Sequence, residues 1–270
     1  MEINKEVGKP DPDFAKIEKL VTRDAGLSAR VINVINSPFF GLARKIDSII
    51  QALTLMGLEN FFRVILTTCL REKLSADKGN QTFWDHSLRT AIAAEVITKF
   101  RQSLLSVDEI TPDQAYTAGL FHDASIPLLL KKSPAYKAVT QLALSHKVNI
   151  IDEEDNVIGS DHCMISGIMA KSWSLPDPIC KAIIHHHNPD LNKLKNISTK
   201  LIGVIQVADY IAYHYDFSRG NVGAIIENEW DLEDWARLHD DALQDLDLAP
   251  DDINDLKEKI FEVLSEQSTG

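Results

Sequence analysis

Residues 111–123 read TPDQAYTAGLFHD, and the first four of them decide how the rest is read. Thr111 is suited to cap a helix, Pro112 to occupy its first turn, and Gln114 to reach back to the cap. Apolar residues carry the pattern through Leu120, so the stretch is a helix that ends on the adjacent pair His122-Asp123. Neighbouring helical positions point about 100° apart, so such a pair can approach one ion from two angles or bridge two ions.

Outward from this stretch the same signals recur. Toward the N-terminus, Ile17, Leu20 and Val21 lead into Leu27, Val31, Val34 and Ile35 at three-to-four spacing, with a break at Asp24–Gly26. Asn36-Ser37-Pro38 stops that helix, because Pro38 pushes its predecessor out of the α region. Ser48 and Gln51 form a capping box for a helix that runs to Met56. Gly57 can supply a left-handed cap, and Leu58–Leu70 resumes the apolar period. Lys73–Thr82 is polar and contains Gly79-Asn80, which marks a boundary. A helix then follows from Phe83 to about Phe100.

On the other side of His122-Asp123, helices are expected from Ser133-Pro134 to about His146, and from Asp161 to Trp173. Further ones run from Pro176 to the triplet His185-His186-His187, from Ser198 to about Tyr215, and from Pro250 through Ile253, Leu256, Ile260 and Leu264. No strand, repeat or low-complexity segment interrupts them. The expected fold is an all-α helical bundle: an N-terminal helical subdomain (1–80), a second helical subdomain (81–216) and an acidic C-terminal helical extension (217–270).

The charge is uneven. The net charge is −12, and between Glu227 and Glu258 thirteen acidic residues face two basic ones, so that segment holds most of the excess. A solvated acidic face explains it, and the lack of a basic stripe argues against nucleic-acid binding. No apolar run approaches the roughly 20 residues of a membrane span. The three cysteines, Cys69, Cys163 and Cys180, are scattered in apolar contexts and read as buried small hydrophobes in a reducing cytoplasm.

Five places can carry chemistry: His86, His122-Asp123, His162, the triplet 185–187 and Asp209. Imidazole and carboxylate together suit divalent zinc, iron, manganese or nickel. Asp209 lies inside an apolar helix, where a carboxylate is costly to ionise unless a cation or a metal pairs with it. Helices packed as a bundle can each project one such ligand to a common point. His146, His214 and His239 are read as ordinary surface or hydrogen-bonded residues. A structural alternative, in which all these groups are satisfied by buried hydrogen bonds, stays open at this point.

The chain also resembles a known family. LSARVINVINSPFFG (27–41), IDSIIQALTLMG (46–57), GLFHD (119–123) and WSLPDPICKAIIHHH (173–187) are similar to the HDOD family, over roughly residues 12–215. The resemblance implies a bacterial, cytoplasmic signal-transduction module with an HD-domain-like core that regulates through a protein partner, related to HD and HD-GYP phosphohydrolases. It places His86, His122, Asp123 and Asp209 where HD enzymes bind metal. It places His162 with two of the triplet where HD-GYP enzymes hold further ligands, and Asn188-Pro189 favours His186 and His187 over His185. The implied alternative function is a metal-dependent phosphohydrolase or phosphodiesterase acting on a nucleotide or cyclic dinucleotide. Two motifs depart from HD-GYP enzymes: His122-Asp123 is followed by Ala124-Ser125-Ile126 with no lysine, and no GYP motif follows His187.

Overall fold

A computed structural model describes residues 2–36, 45–74, 81–101, 110–139, 150–173, 175–195, 199–219 and 232–268. Its described residues form helices and connecting turns, with no strand, so the chain is all-α. They divide into two compact units, one of residues 1–76 with 262–270 and one of residues 77–261.

The first unit contains α1 (Glu2–Val7), α2 (Phe14–Thr22), α3 (Ala25–Ile35) and α4 (Ile49–Leu74). Asp13 caps α2 by accepting the Lys16 N–H at 3.0 Å. The apolar spacing read from the sequence closes into a core: Ile17, Val21, Val31, Ile35, Leu53, Phe61 and Ile65 are fully buried. Asn36 ends α3 by pairing its side-chain amide with the backbone of Ile46, donating to the carbonyl at 2.7 Å and accepting the N–H at 2.8 Å. Ser48 accepts the Gln51 N–H at 3.3 Å, which is half of the expected capping box; the Gln51 side chain meets the N–H of Asp47 instead. Gly57, at φ 76° and ψ 166°, breaks α4 into two helical runs where a left-handed cap was expected.

The second unit contains α5 (Gln81–Phe100), α6 (Pro112–Phe121), α7 (Ile126–Lys132), α8 (Ile150–Ile158), α9 (His162–Ser172), α10 (Asp177–His185), α11 (Thr199–Ser218), α12 (Leu232–Leu238), α13 (Asp240–Asp245) and the start of α14 (Pro250–Ser268). Thr111 and Gln114 make the full reciprocal box at the head of α6. Residues 134–139 are helical, and the rest of the helix expected to reach His146 lies outside the described residues. No helix was expected over α8, and α11 continues past Tyr215 to Ser218.

α11 is the central element, buried without interruption from Leu201 to Tyr213. A helix that is apolar all round must be enclosed by others; here α5, α6, α10 and α13 pack against it. The acidic C-terminal segment joins this packing through its apolar face, burying Trp235, Leu243, Leu246, Ile253 and Leu256 while Asp240, Asp247 and Asp251 stay exposed. No helix among the described residues is long and apolar enough to cross a membrane.

Candidate metal centre

α6 ends at Phe121, and the next four residues form a turn that carries His122 and Asp123 into the interior of the second unit. Ser125 ties this turn to α9. Its N–H donates to Ser166 Oγ at 3.0 Å, its hydroxyl donates to the His162 carbonyl at 2.9 Å, and the Ser166 hydroxyl donates to Ser125 Oγ at 3.0 Å. The turn and the first residue of α9 are therefore held in one register. α5 contributes His86, α11 contributes Asp209, and the end of α10 contributes His186 and His187.

Four of the histidines are oriented in the same way. His122 and His186 donate from Nδ1 to the backbone carbonyls of Gly119 and Ile183, each at 2.7 Å. His86 and His162 direct Nδ1 at buried carboxylates, Asp216 at 3.0 Å and Glu154 at 2.7 Å. An imidazole whose Nδ1 is held from outside presents Nε2 inward, as metal-ligating histidines do.

The inward atoms converge on two aspartates. His86 Nε2 lies 2.8 Å from Asp209 Oδ1, and His122 Nε2 lies 3.4 Å from the same oxygen and 3.3 Å from Asp123 Oδ2. The other oxygen of Asp123 lies 3.2 Å from His162 Nε2 and 3.3 Å from His186 Nε2. Asp123 thus stands between two groups of imidazoles. His187 completes the second group, its ring centre 5.0 Å from that of His162 and 4.3 Å from that of His186. His185 is half-buried at the helix end, and burial lowers its pKa.

The electrostatics follow from this crowding. Burial opposes the charge on His86, but Asp209 and Asp216 outweigh it and raise the pKa to about 9. Burial likewise works against His122, where Asp123 and Asp209 prevail and raise its pKa. It also works against the Asp123 carboxylate, which His122 and His162 nevertheless hold well below the usual range. His187 faces His186 and His162, so burial and like charge both depress it and keep it neutral.

Two buried atoms in the middle, His122 Nε2 and Asp123 Oδ1, have no hydrogen-bond partner. Buried polar groups are nearly always satisfied, so this pair is a place where an ion would supply what is missing. Among the described residues, three ligand groupings fit one: His86, His122 and Asp209; His122, Asp123 and His186; and His162, Cys163, His186 and His187. The donor set of imidazole, carboxylate and thiol suits borderline divalent ions.

Several residues of the centre were not singled out by sequence reasoning. Glu154 accepts the His162 N–H, the His162 ring and the Tyr136 hydroxyl, at 2.9, 2.7 and 2.5 Å. Asp216 is fully buried and pairs with Arg89 as well as His86. Cys163 was read as a small hydrophobe; it is buried, but its sulfur stands 3.4 Å from His162 Nε2. Cys180 fits that reading, and the Cys69 side chain lies outside what is described. Of the histidines set aside, His239 stacks on Trp235 and His214 meets Tyr210 edge to face, while His146 lies outside the described residues. A cleft of about 260 Å³, lined by Ile151, Asp161, Cys163, Ile184, His187, Asn188 and Pro189, opens onto the second group.

Known proteins share the fold. A Treponema pallidum protein, named as uncharacterized, is 24% identical over 197 residues, covering 70% of this chain and 36% of that protein. The chain therefore spans about a third of the length of the curated relative it matches. Among solved structures, a Shewanella amazonensis protein named as a candidate phosphohydrolase has a TM-score of 0.71 at 20% identity, covering 98% of this chain and 91% of its own. A Marinobacter aquaeolei protein named as a candidate signal-transduction protein has a TM-score of 0.69 at 18% identity, covering 99% and 59%. These likenesses establish a shared all-helical fold. The HDOD domain model matches residues 1–189, well over half of the chain, and the protein belongs to the HDOD domain family.

Proposed function

We propose that the protein is a signalling HDOD module that regulates through contacts with a protein partner and holds divalent metal in its second unit. In this reading His86, His122 and Asp209 take one ion, His162, His186 and His187 take the other, and Asp123 lies between them. The observation that carries the metal reading is the shared orientation of four histidines, each anchored at Nδ1 from outside with Nε2 turned toward a common interior. A purely structural network would satisfy its own members, whereas His122 Nε2 and Asp123 Oδ1 lack hydrogen-bond partners. The signalling role rests on family membership and on the name carried by the Marinobacter protein.

Metal analysis of protein purified without a histidine tag tests the site. Bound zinc, iron, manganese or nickel is expected in the wild type and is lost in Asp123→Ala; equal metal content in the two would defeat the assignment. For the signalling role, a partner recovered by pulldown is expected to stay bound when the ligands are replaced singly, if the contact surface lies elsewhere on the module.

A second reading, metal-dependent phosphohydrolysis of a nucleotide or cyclic dinucleotide, is favoured by the cleft that opens onto His187. A divalent ion supplies Lewis acidity toward phosphoryl oxygens at such sites. Two features weigh against it. Ile126, where HD-GYP enzymes have lysine, is buried at 1% exposure, and the described lining of the cleft contains no lysine or arginine. Turnover of phosphodiester substrates by manganese-, iron- or nickel-loaded protein decides the matter. A rate no higher than that of a His122/Asp123 double variant removes this reading.

A further inference from the structure

Cys163 is the second residue of α9, directly after His162, and only 2% of its surface is exposed. Its sulfur lies 3.4 Å from His162 Nε2 and 3.9 Å from His186 Nε2, both of them nitrogens that face the interior of the candidate centre. The ligand atoms of His162, Cys163, His186 and His187 all lie within 4.8 Å of one another. Typical zinc–sulfur and zinc–nitrogen bonds place two tetrahedral ligands roughly 3.6 Å apart, and the two sulfur–nitrogen distances bracket that value. The contrast with Cys180 is informative. That sulfur, also in a buried residue, faces the Leu175 carbonyl at 3.5 Å, as an inert thiol does.

A second observation points to the same space. Asp123 is 9% exposed, and its Oδ1, without a hydrogen-bond partner, is aimed at the nitrogens of His162 and His186. Imidazoles, a sulfur and an unsatisfied carboxylate oxygen therefore surround one spot, and the cleft that reaches Cys163 and His187 gives an ion a way in.

We propose that Cys163 is a metal ligand, so that His162, Cys163, His186 and His187 form a three-nitrogen, one-sulfur site selective for a borderline divalent cation such as zinc, iron(II) or cobalt(II). The inference rests on the metal reading above and goes beyond it by adding a ligand and a selectivity. On binding, the S–H bond gives its proton to solvent and the sulfur lone pair goes to the cation, with no change in oxidation state. Thiolate favours these ions over magnesium and manganese, so the two halves of the centre differ in what they accept.

Cobalt(II) titration of the reduced, untagged, metal-free full chain tests this by absorption spectroscopy. The expected result is a near-ultraviolet sulfur-to-cobalt charge-transfer band beside the visible cobalt bands. Cys163→Ala loses that band and keeps cobalt absorption from the site without sulfur, whereas Cys69→Ala and Cys180→Ala retain it. Visible cobalt bands in the wild type without the sulfur band overturn the proposal while leaving the metal reading intact, even if Cys163→Ala fails to fold. A band that survives in folded Cys163→Ala does the same. No cobalt bound at all overturns both.

Discussion

His86 and Asp216 lie 130 positions apart in sequence, and the imidazole Nδ1 meets the carboxylate at 3.0 Å in the interior of the second unit. The same carboxylate pairs with Arg89, one turn along α5 from His86. Asp216 is therefore read as a positioning residue that turns His86 toward Asp209. Asp216→Asn removes the charge with little change of shape, and partners of this kind are worth about 10–100-fold in metal affinity. The expected result is a loss of that size for one equivalent of zinc, measured by competition with a chromophoric chelator. An unchanged affinity would show that His86 is oriented by something else.

Close packing of helices against helices sets the distances within the centre, and two glycines bear on it differently. A Cβ at Gly119 would lie 3.0 Å from both Ala91 Cα and the Thr90 carbonyl, which are backbone atoms of α5 that cannot step aside. A Cβ at Gly167 would overlap the side chain of Ile184 on α10. Overpacking of this kind costs about 1–3 kcal/mol. Both glycine-to-alanine variants are expected to melt at lower temperature, but only Gly167→Ala should be rescued by adding Ile184→Ala. Equal rescue of Gly119→Ala by that change would refute the packing argument.

What could be read from the sequence follows the same division between local and distant causes. The Thr111–Gln114 box, the stop at Asn36 and the apolar period of α2, α3 and α14 are properties of a few neighbouring residues, and each is present in the structure. The interior histidines were visible because imidazoles recur near helix ends. Glu154 and Asp216 were not, since each is one acidic residue among many and acquires meaning only from the histidine that folding brings to it. α8, which carries Glu154, went unread for a related reason. Its Ile150-Ile151 and Val157-Ile158 flank four polar residues and a buried glutamate, so its inward face is partly acidic. The surroundings of Cys163 were not visible either, because a sequence pattern sees a small apolar residue, which is indeed buried, and not the two imidazoles that folding brings beside it.

Glu154 and Tyr136 permit a test of how stiffly His162 is held. Tyr136 is fully buried, and its hydroxyl, whose pKa is raised by burial and by Glu154, donates to the carboxylate at 2.5 Å. Tyr136→Phe leaves Glu154 with one partner fewer, and an unmet buried acceptor costs about 1–3 kcal/mol. Glu154→Gln should cost more, because it weakens the hold on both the ring and the backbone N–H of His162. Residues in one buried network couple, so the double variant is expected to fall short of the sum by at least about 0.5 kcal/mol in denaturant unfolding. Strict additivity would mean that the two act separately.

The first unit contains a carboxylate whose titration can be followed away from any candidate ligand. Glu6 is 3% exposed and is held by Lys16 at 2.6 Å and Lys9 at 2.8 Å. The hydrogen bond from Lys16 and then that from Lys9 lower its pKa from 4.5 to about 2. A depressed carboxylate pKa favours the folded state above the unfolded value, and that contribution disappears as the pH falls through the folded one. The stability that Glu6 provides is therefore complete above about pH 4.5 and lost between there and about pH 2. Glu6→Gln should melt below the wild type at pH 6, and the gap should narrow steadily as the pH is lowered across this window. Hydrogen exchange at α1 and α2 reads the same effect locally: protection in the wild type declines with acid, while the variant, lacking the carboxylate, changes little over the window. A gap between the two proteins that is constant from pH 6 to pH 2 would show that the lysines do not hold Glu6 ionised.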